Sequence, residues 1–326
     1  MNGGNGVVRV HFLNVGHGDC TLIEHASGRL TMIDINNGDD LDPDSATELS
    51  KALRADPAQV ESAARSRGLS VRAVLGQKGY GVALTNPVAY LKVHYPGRPV
   101  FRYIQSHPHL DHMRGLAALR GAGIDIVNVW DTVDIPAPAM RSQADQADWD
   151  AYQALRKSTV YPTMLHPQRG QHGPYFNEDP AGVFGGDGLT ILAPTPELTR
   201  DALAANNLNN MGYVIRFEHE GYSFILAGDA EAAVWESIVG HYGARALSCT
   251  VLKASHHGRD SGYYQPALAL MRPGYTIVSV GKKPEQDASN KYRHYSENVW
   301  STRWRGNITV TITGRAQARI DSQYRT

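Results

Sequence analysis

Two cysteines, Cys20 and Cys249, in 326 residues are too few for a disulfide framework or a thiolate metal site. No apolar run approaches the ~18 residues of a membrane span, the best candidate being the short stretch 222–227. The opening MNGGNGVVRV lacks the basic segment and apolar stretch of a secretory signal, so a soluble, cytoplasmic protein is expected. Neither charge is in excess: 32 Lys and Arg face 32 Asp and Glu, which leaves no global field to hold a polyanion. What the chain does hold is 42% apolar residues, ample for a buried core, and 14 histidines. Any metal site must therefore rest on imidazole and carboxylate.

Residues 7–15, 20–24 and 30–35 are short β-branched or apolar runs separated by Gly-rich turns, which predicts an opening β-meander. Residues 39–75 are rich in Ala, Leu and Arg and carry helix caps, so helices or a lid-like insertion are expected there. A helix follows Asn86-Pro87, then a strand at 100–105, a helix at 113–120 and a strand at 124–129. Residues 131–180 read as a loop-rich insertion with a helix at 144–157. The remainder predicts strands at 189–193, 213–217, 222–227, 250–253, 275–280 and 308–313, with helices at 230–241, 263–271 and 296–303. The two halves, about 7–130 and 185–314, each run strands first and then alternate β and α. Packed sheet to sheet with helices outside, they predict one α/β domain, a four-layer αββα sandwich, over residues 1–326.

His107-x-His109-x-Asp111-His112 lies directly after a predicted strand, placing four possible ligands within six residues. Alternate residues of an extended segment point the same way, and a tight turn brings the last two back, so all four can converge on one locus. Imidazole and carboxylate without thiolate suit Zn²⁺, Mn²⁺ or Fe²⁺. Asp229 ends a strongly apolar strand, where an acid is costly unless paired or metal-bound, although an N-cap for the next helix competes as an explanation. His256-His257-Gly258 ends a third strand. Strand C-terminal edges are where α/β sheets build their sites.

This order of motifs resembles the metallo-β-lactamase superfamily: an early strand ending in Asp34, the HxHxDH loop, Gly228-Asp229 after a hairpin, and a late His. Phrases such as His11-Phe-Leu-Asn-Val-Gly-His-Gly-Asp19 and Leu252-Lys-Ala-Ser-His-His-Gly258 are similar to the soluble lactamase-like domain of the ComEC DNA-uptake family and its free-standing relatives. The likeness spans residues 7–314 and covers 39–100 and 131–180 poorly. It implies a metal-dependent hydrolase with two divalent ions, Zn²⁺ or Mn²⁺. One would be held by His107 and His109, the other by Asp111, His112 and His256, with Asp229 bridging and Asp34 orienting the ligands from behind. Many members add a His from the loop before the hairpin; here that region is Asn206-Asn-Leu-Asn-Asn210, so the first site is expected to be weak. His166 and His172, in the insertion, are not expected to replace it. Of the two adjacent histidines, His256 is expected as the ligand and His257 as the group facing substrate.

Two ions about 3.5–4 Å apart lower the pKa of a shared water and clamp the attacking and leaving oxygens. Lys253 and Asn207 are the candidates for charge stabilisation, and His257 for protonating the leaving group. His17 and Asp19 are expected near the metals, His17 in contact with substrate. Residues 280–326 hold nine basic against four acidic residues, and Lys282-Lys283 with Lys291, Arg293 and His294 interleave with tyrosines in a manner suited to phosphate and base contacts. Residues 131–150, with five Asp and one Arg, form an acidic flank expected to repel a polyanion. A phosphodiesterase or nuclease acting on nucleic acid or nucleotide is the leading reading. An ester, lactone or thioester hydrolase and a non-catalytic binding module are the alternatives.

Overall fold

The computed structural model describes residues 6–38, 41–132, 136–140, 142–183, 185–281 and 287–325. The meander is β1 (Val8–Phe12), β2 (Thr21–Glu24) and β3 (Leu30–Ile33), each antiparallel to the next. β4 (Val100–Ile104), β5 (Ile126–Trp130) and β6 (Thr163–Leu165) extend it in parallel. The second sheet holds β7 (Leu189–Ala193), β8 (Val214–His219), β9 (Tyr222–Leu226), β10 (Val251–Lys253), β11 (Tyr275–Val278) and β12 (Asn298–Ser301), in sequential spatial order. The chain then crosses back: β13 (Ile308–Gly314) pairs with β1 and β14 (Gln317–Ser322) pairs with β13, giving the first sheet the order β14-β13-β1-β2-β3-β4-β5-β6.

Three apolar clusters define the layers. Phe12, Ile33, Ile104 and Trp130 of the first sheet meet Ile191, Phe217, Phe224 and Ile277 of the second between the sheets. Alternate residues on the same strands point outward: Leu22, Met32 and Tyr103 pack under helices Pro87–His94, Leu116–Gly121 and Gln143–Arg156, and Ile225 and Leu252 under helices Ala232–His241 and Gln265–Met271. Strands buried on both faces read as continuous apolar runs because both faces are covered. The arrangement is the four-layer αββα sandwich. Residues 43–77 form three helices, Pro43–Ala52, Pro57–Arg67 and Val71–Gln77, around a small core of their own containing Leu49, Val60 and Leu75. Among the described residues no helix is long and apolar enough to cross a membrane.

Four expectations change. The helix expected at 296–303 is strand β12 followed by the one-turn helix Thr302–Arg305, because Val299 and Trp300 align beside β11 with Ile277 opposite Trp300. The helix at 113–120 begins only at Leu116, since Gly115 (φ 102°) interrupts it after a short turn over Leu110–His112. The strand at 308–313 belongs to the first sheet and not to the second half. β6, only three residues long, and β14, mostly polar, carry no sequence signal of their own.

Candidate metal centre

Because β1, β3 and β4 point the same way, their C-terminal ends share one edge, and it meets the ends of β9 and β10 across the sandwich. This edge gathers the loop His17–Asp19, then Asp34, the loop His107–His112, Asp229 and His256-His257. Gly18 (φ 150°) permits the first loop to lie against the second: a Cβ there would stand 2.6 Å from Asn36 Cγ and would overlap the Asp111 carbonyl, to which Asp19 N donates at 3.2 Å. Asp34 is itself left-handed (φ 58°), a conformation that Asp tolerates better than most side chains. It accepts from Ser106 N at 2.7 Å, Ser106 Oγ at 2.6 Å and His112 Nδ1 at 2.7 Å.

The ligand-type atoms face one another at short range. His107 Nε2 is 3.0 Å from His109 Nδ1 and 3.7 Å from Asp229 Oδ2. His112 Nε2 is 3.3 Å from Asp229 Oδ1, and His257 Nε2 is 3.3 Å from Asp111 Oδ2 and 3.5 Å from Asp229 Oδ2. A tetrahedral Zn²⁺ site with bonds of 2.0–2.1 Å has ligand–ligand edges of about 3.3 Å, so these separations are those of a coordination shell. The set His107, His112, Asp229 and the set His17, Asp111, His257 each bring three donor atoms within 4.8 Å of one another. Asp19 joins two further sets, one with Asp229 and His257 and one with Asp34 and His112.

The chemistry of these groups fits divalent cations. His17 Nδ1, Asp19 Oδ1, His112 Nε2, Asp229 Oδ1 and His257 Nε2 are buried and have no hydrogen-bond partner, a costly state for polar atoms unless a charge joins them. Asp19, Asp34 and Asp229 are buried, and Asp111 lies beside them partly buried, so anionic charge is concentrated at one point. The imidazoles divide accordingly. Burial opposes charge on His112, but Asp229 and Asp34 outweigh it and hold its pKa well above the usual range. Burial is likewise outweighed at His257, by Asp229 and Asp111. His107 is pushed well below the usual range by burial and by His112, and His17 to about 4 by burial and by His257. Asp111 and Asp229 fall well below the carboxylate range despite burial, Asp111 through His257 and His112, Asp229 through the same two imidazoles.

The structure brings His107, His109, Asp111, His112, Asp229, Asp34 and His17 to one edge and reassigns several others. His257, not His256, enters the convergent sets. Both residues are left-handed (φ 53° and 49°), which splays their rings to centroids 6.2 Å apart and sends them to different neighbours. His257 is 1% exposed, with Nδ1 on the Ser279 carbonyl at 2.9 Å and Nε2 turned inward to Asp111 and Asp229. His256 lies nearer the surface, Nδ1 bonded to Ser261 Oγ at 2.7 Å and 3.1 Å from Glu231, with Nε2 3.7 Å from Asp229. Lys253 is buried and ion-paired with Asp19. Asn207 donates to Glu231 at 2.8 Å beside Asn209 at 3.2 Å, so it braces the carboxylate that anchors His256. The His256 hydrogen bond is the main cause that lowers Glu231 to about 2. His166 pairs with Asp131 and stays out of the cluster.

The charge patches also dissolve into pairs. In the acidic stretch Asp131 is buried against Arg156, Asp145 pairs with Arg114, and Asp148 accepts from Ala117 N, so three of its five acids are spent inside the fold. In the basic stretch Lys291 pairs with Asp260, Arg303 with Glu48 and Arg319 with Asp321. Lys291, Arg293 and His294 are exposed and lie outside the convergent sets; Lys282 and Lys283 fall outside the described residues. The motif reading does not reach Ser106, Glu231 or Ser261. Their only sequence signal is adjacency to the motifs whose side chains they orient.

No family model matches the chain, and no curated protein matches it. Among solved structures, the metallo-beta-lactamase fold protein YhfI from Bacillus subtilis is 11% identical, with 93% of this chain and 99% of that one covered and a TM-score of 0.46.

Proposed function

We propose that this chain is a metal-dependent hydrolase of phosphodiester bonds in a substrate of nucleotide size. The observation that carries the reading is the convergence of unpartnered buried imidazole nitrogens and carboxylate oxygens at ligand–ligand spacing on one sheet edge. When bound, divalent cations acidify water and polarise a phosphoryl oxygen. His107, His112 and Asp229 would hold one cation, with His109 beside His107, and Asp111 and His257 would contribute to a second. Asp34 fixes His112 with its proton on Nδ1, leaving the Nε2 lone pair for the cation. Lys253 neutralises Asp19 and keeps that carboxylate in place. His256, anchored through Nδ1 and nearer the surface than His257, is placed to hand a proton to the leaving oxygen.

A cleft of about 840 Å³, within the range of small-molecule sites, opens along residues 278–280 and 297–305; none of the candidate ligands lines it, and its place in substrate binding is part of the proposal. Arg293, Arg305, Trp300 and Trp304 line it, offering phosphate contacts and ring stacking alongside the acids Asp287 and Glu297. With Lys291, Arg303 and Arg319 each paired to an acid, a short nucleotide suits this surface better than a long polyanion.

The test is hydrolysis by the Mn²⁺- or Zn²⁺-loaded chain of bis-p-nitrophenyl phosphate, dinucleotides, oligonucleotides and acyl esters, with chelator and His112→Ala as controls. Phosphodiester cleavage lost in both controls supports the reading. Turnover of acyl esters alone would move the chain to an acyl hydrolase, and failure to take up metal would favour a binding module.

A further inference from the structure

We infer that His17, together with Asp111 and His257, ligates the second cation and so binds metal and not substrate; the inference rests on the metal-dependent reading above. One donor atom from each of the three lies within 4.8 Å of the other two, the same criterion met by His107, His112 and Asp229. The two sets share no residue, and Asp229 Oδ2, 3.7 Å from His107 Nε2 and 3.5 Å from His257 Nε2, touches both.

The tautomer of His257 follows from its partner. A backbone carbonyl can only accept, so the 2.9 Å contact with Ser279 places a proton on Nδ1 and turns Nε2 toward Asp111 Oδ2 at 3.3 Å, where its lone pair would be available to a cation. With metal bound, a cation would replace the proton between that nitrogen and the carboxylate. His17 adds a third donor to the same point: its ring centroid is 4.8 Å from that of His257, and its Nδ1 is buried with no partner.

The backbone around His17 is built to hold it there. Asn36 Nδ2 donates to the carbonyls of Val15 at 3.0 Å and of His17 at 3.2 Å, tying the loop to the segment after β3. Asp19, two residues on, is fixed by Lys253 through its side chain and by the Asp111 carbonyl through its N–H. Such anchoring meets the preorganisation that a metal ligand requires. The imidazole–carboxylate–imidazole set suits Zn²⁺, Mn²⁺ or Fe²⁺.

The experiment titrates the metal-free full chain with Mn²⁺, reading free ion by electron paramagnetic resonance and heat by calorimetry, with elemental analysis of the saturated protein. Wild type is expected to bind two ions. His17→Ala should keep one at wild-type affinity and bind the other at least tenfold more weakly. His257→Ala should lose the same ion, and the double variant should lose no more than either single one. Metal-free melting curves show whether a variant folds, and His17→Gln, which keeps a polar side chain in the loop, replaces the alanine variant if it does not. A His17 variant that binds two ions as tightly as wild type overturns the assignment, as does a wild type that binds one ion with the His17 variant unchanged. A wild type that binds no metal overturns the metal-dependent reading itself.

Discussion

Replacing Asp34 by Asn separates the orienting function of this side chain from its place in the fold. Asn is as tolerant as Asp of the left-handed backbone at this position (φ 58°), so the substitution acts through one atom. Asp34 Oδ1 accepts from Ser106 N, and Oδ2 accepts from both Ser106 Oγ and His112 Nδ1. An amide can keep the first of these but presents N–H where two donors converge. The hydroxyl of Ser106 can rotate away; His112 escapes by moving its proton from Nδ1 to Nε2, the nitrogen that faces Asp229 at 3.3 Å. The wrong tautomer then points a hydrogen at the cation's place. Loss of such an orienting partner typically lowers metal affinity 10–100-fold, or about 1.4–2.7 kcal/mol. The metal-free protein should lose about 1.5–3 kcal/mol of stability with its hydrogen bond to a charged group. Calorimetric metal titration and urea unfolding of both proteins measure the two effects. Wild-type metal affinity in Asp34→Asn would show that Asp34 merely pins Ser106 and would refute the tautomer argument.

Lys253→Met strands the buried Asp19 carboxylate and should cost about 3–5 kcal/mol in urea unfolding, with most of it recovered in the Asp19→Asn/Lys253→Met double variant. Gly18→Ala forces a Cβ into the Asp111 backbone and Asn36, and should cost about 2–3 kcal/mol while reducing bound metal, as read by elemental analysis. Burial lowers His25 to about 3 and His11 to about 4, so each is neutral in the fold while its unfolded counterpart protonates near 6.5. Stability from both is full above about pH 6.5 and is lost as pH falls toward 4 and 3. The melting temperature should therefore drop across that window, and His25→Gln should flatten the drop; an unchanged acid limb would show that His25 does not drive it.

Much of the site was legible because its signals are local. His107–His112 is six consecutive residues at a strand end, and Asp229 and the His256-His257 pair are each announced by the apolar run before them. What could not be read depends on contacts distant in sequence or on backbone sign. Lys253 looks free for catalysis until Asp19, 234 residues away, arrives beside it. The choice between His256 and His257 turns on two left-handed residues in succession, and neither composition nor spacing reports φ. Asp131, Asp145 and Asp148 read as an acidic surface because the sequence does not display the partners that take up their charge. The fold was legible where alternation was strong; β12 was hidden by its brevity, and the sheet membership of β13 by the separation of its partner.

That separation bears on how the protein comes into being. β1 delivers the loop carrying His17 and Asp19, yet one of its two neighbours is β13, with Val8 opposite Ile312. Contacts closing over some 300 residues are entropically late, and chains rich in them fold slowly. During synthesis the amino-terminal meander must wait, one hydrogen-bonding edge open, until the carboxyl-terminal hairpin has left the ribosome. The waiting edge is a template for unwanted pairing, and a chain truncated before residue 308 would keep every candidate ligand while exposing that edge for good.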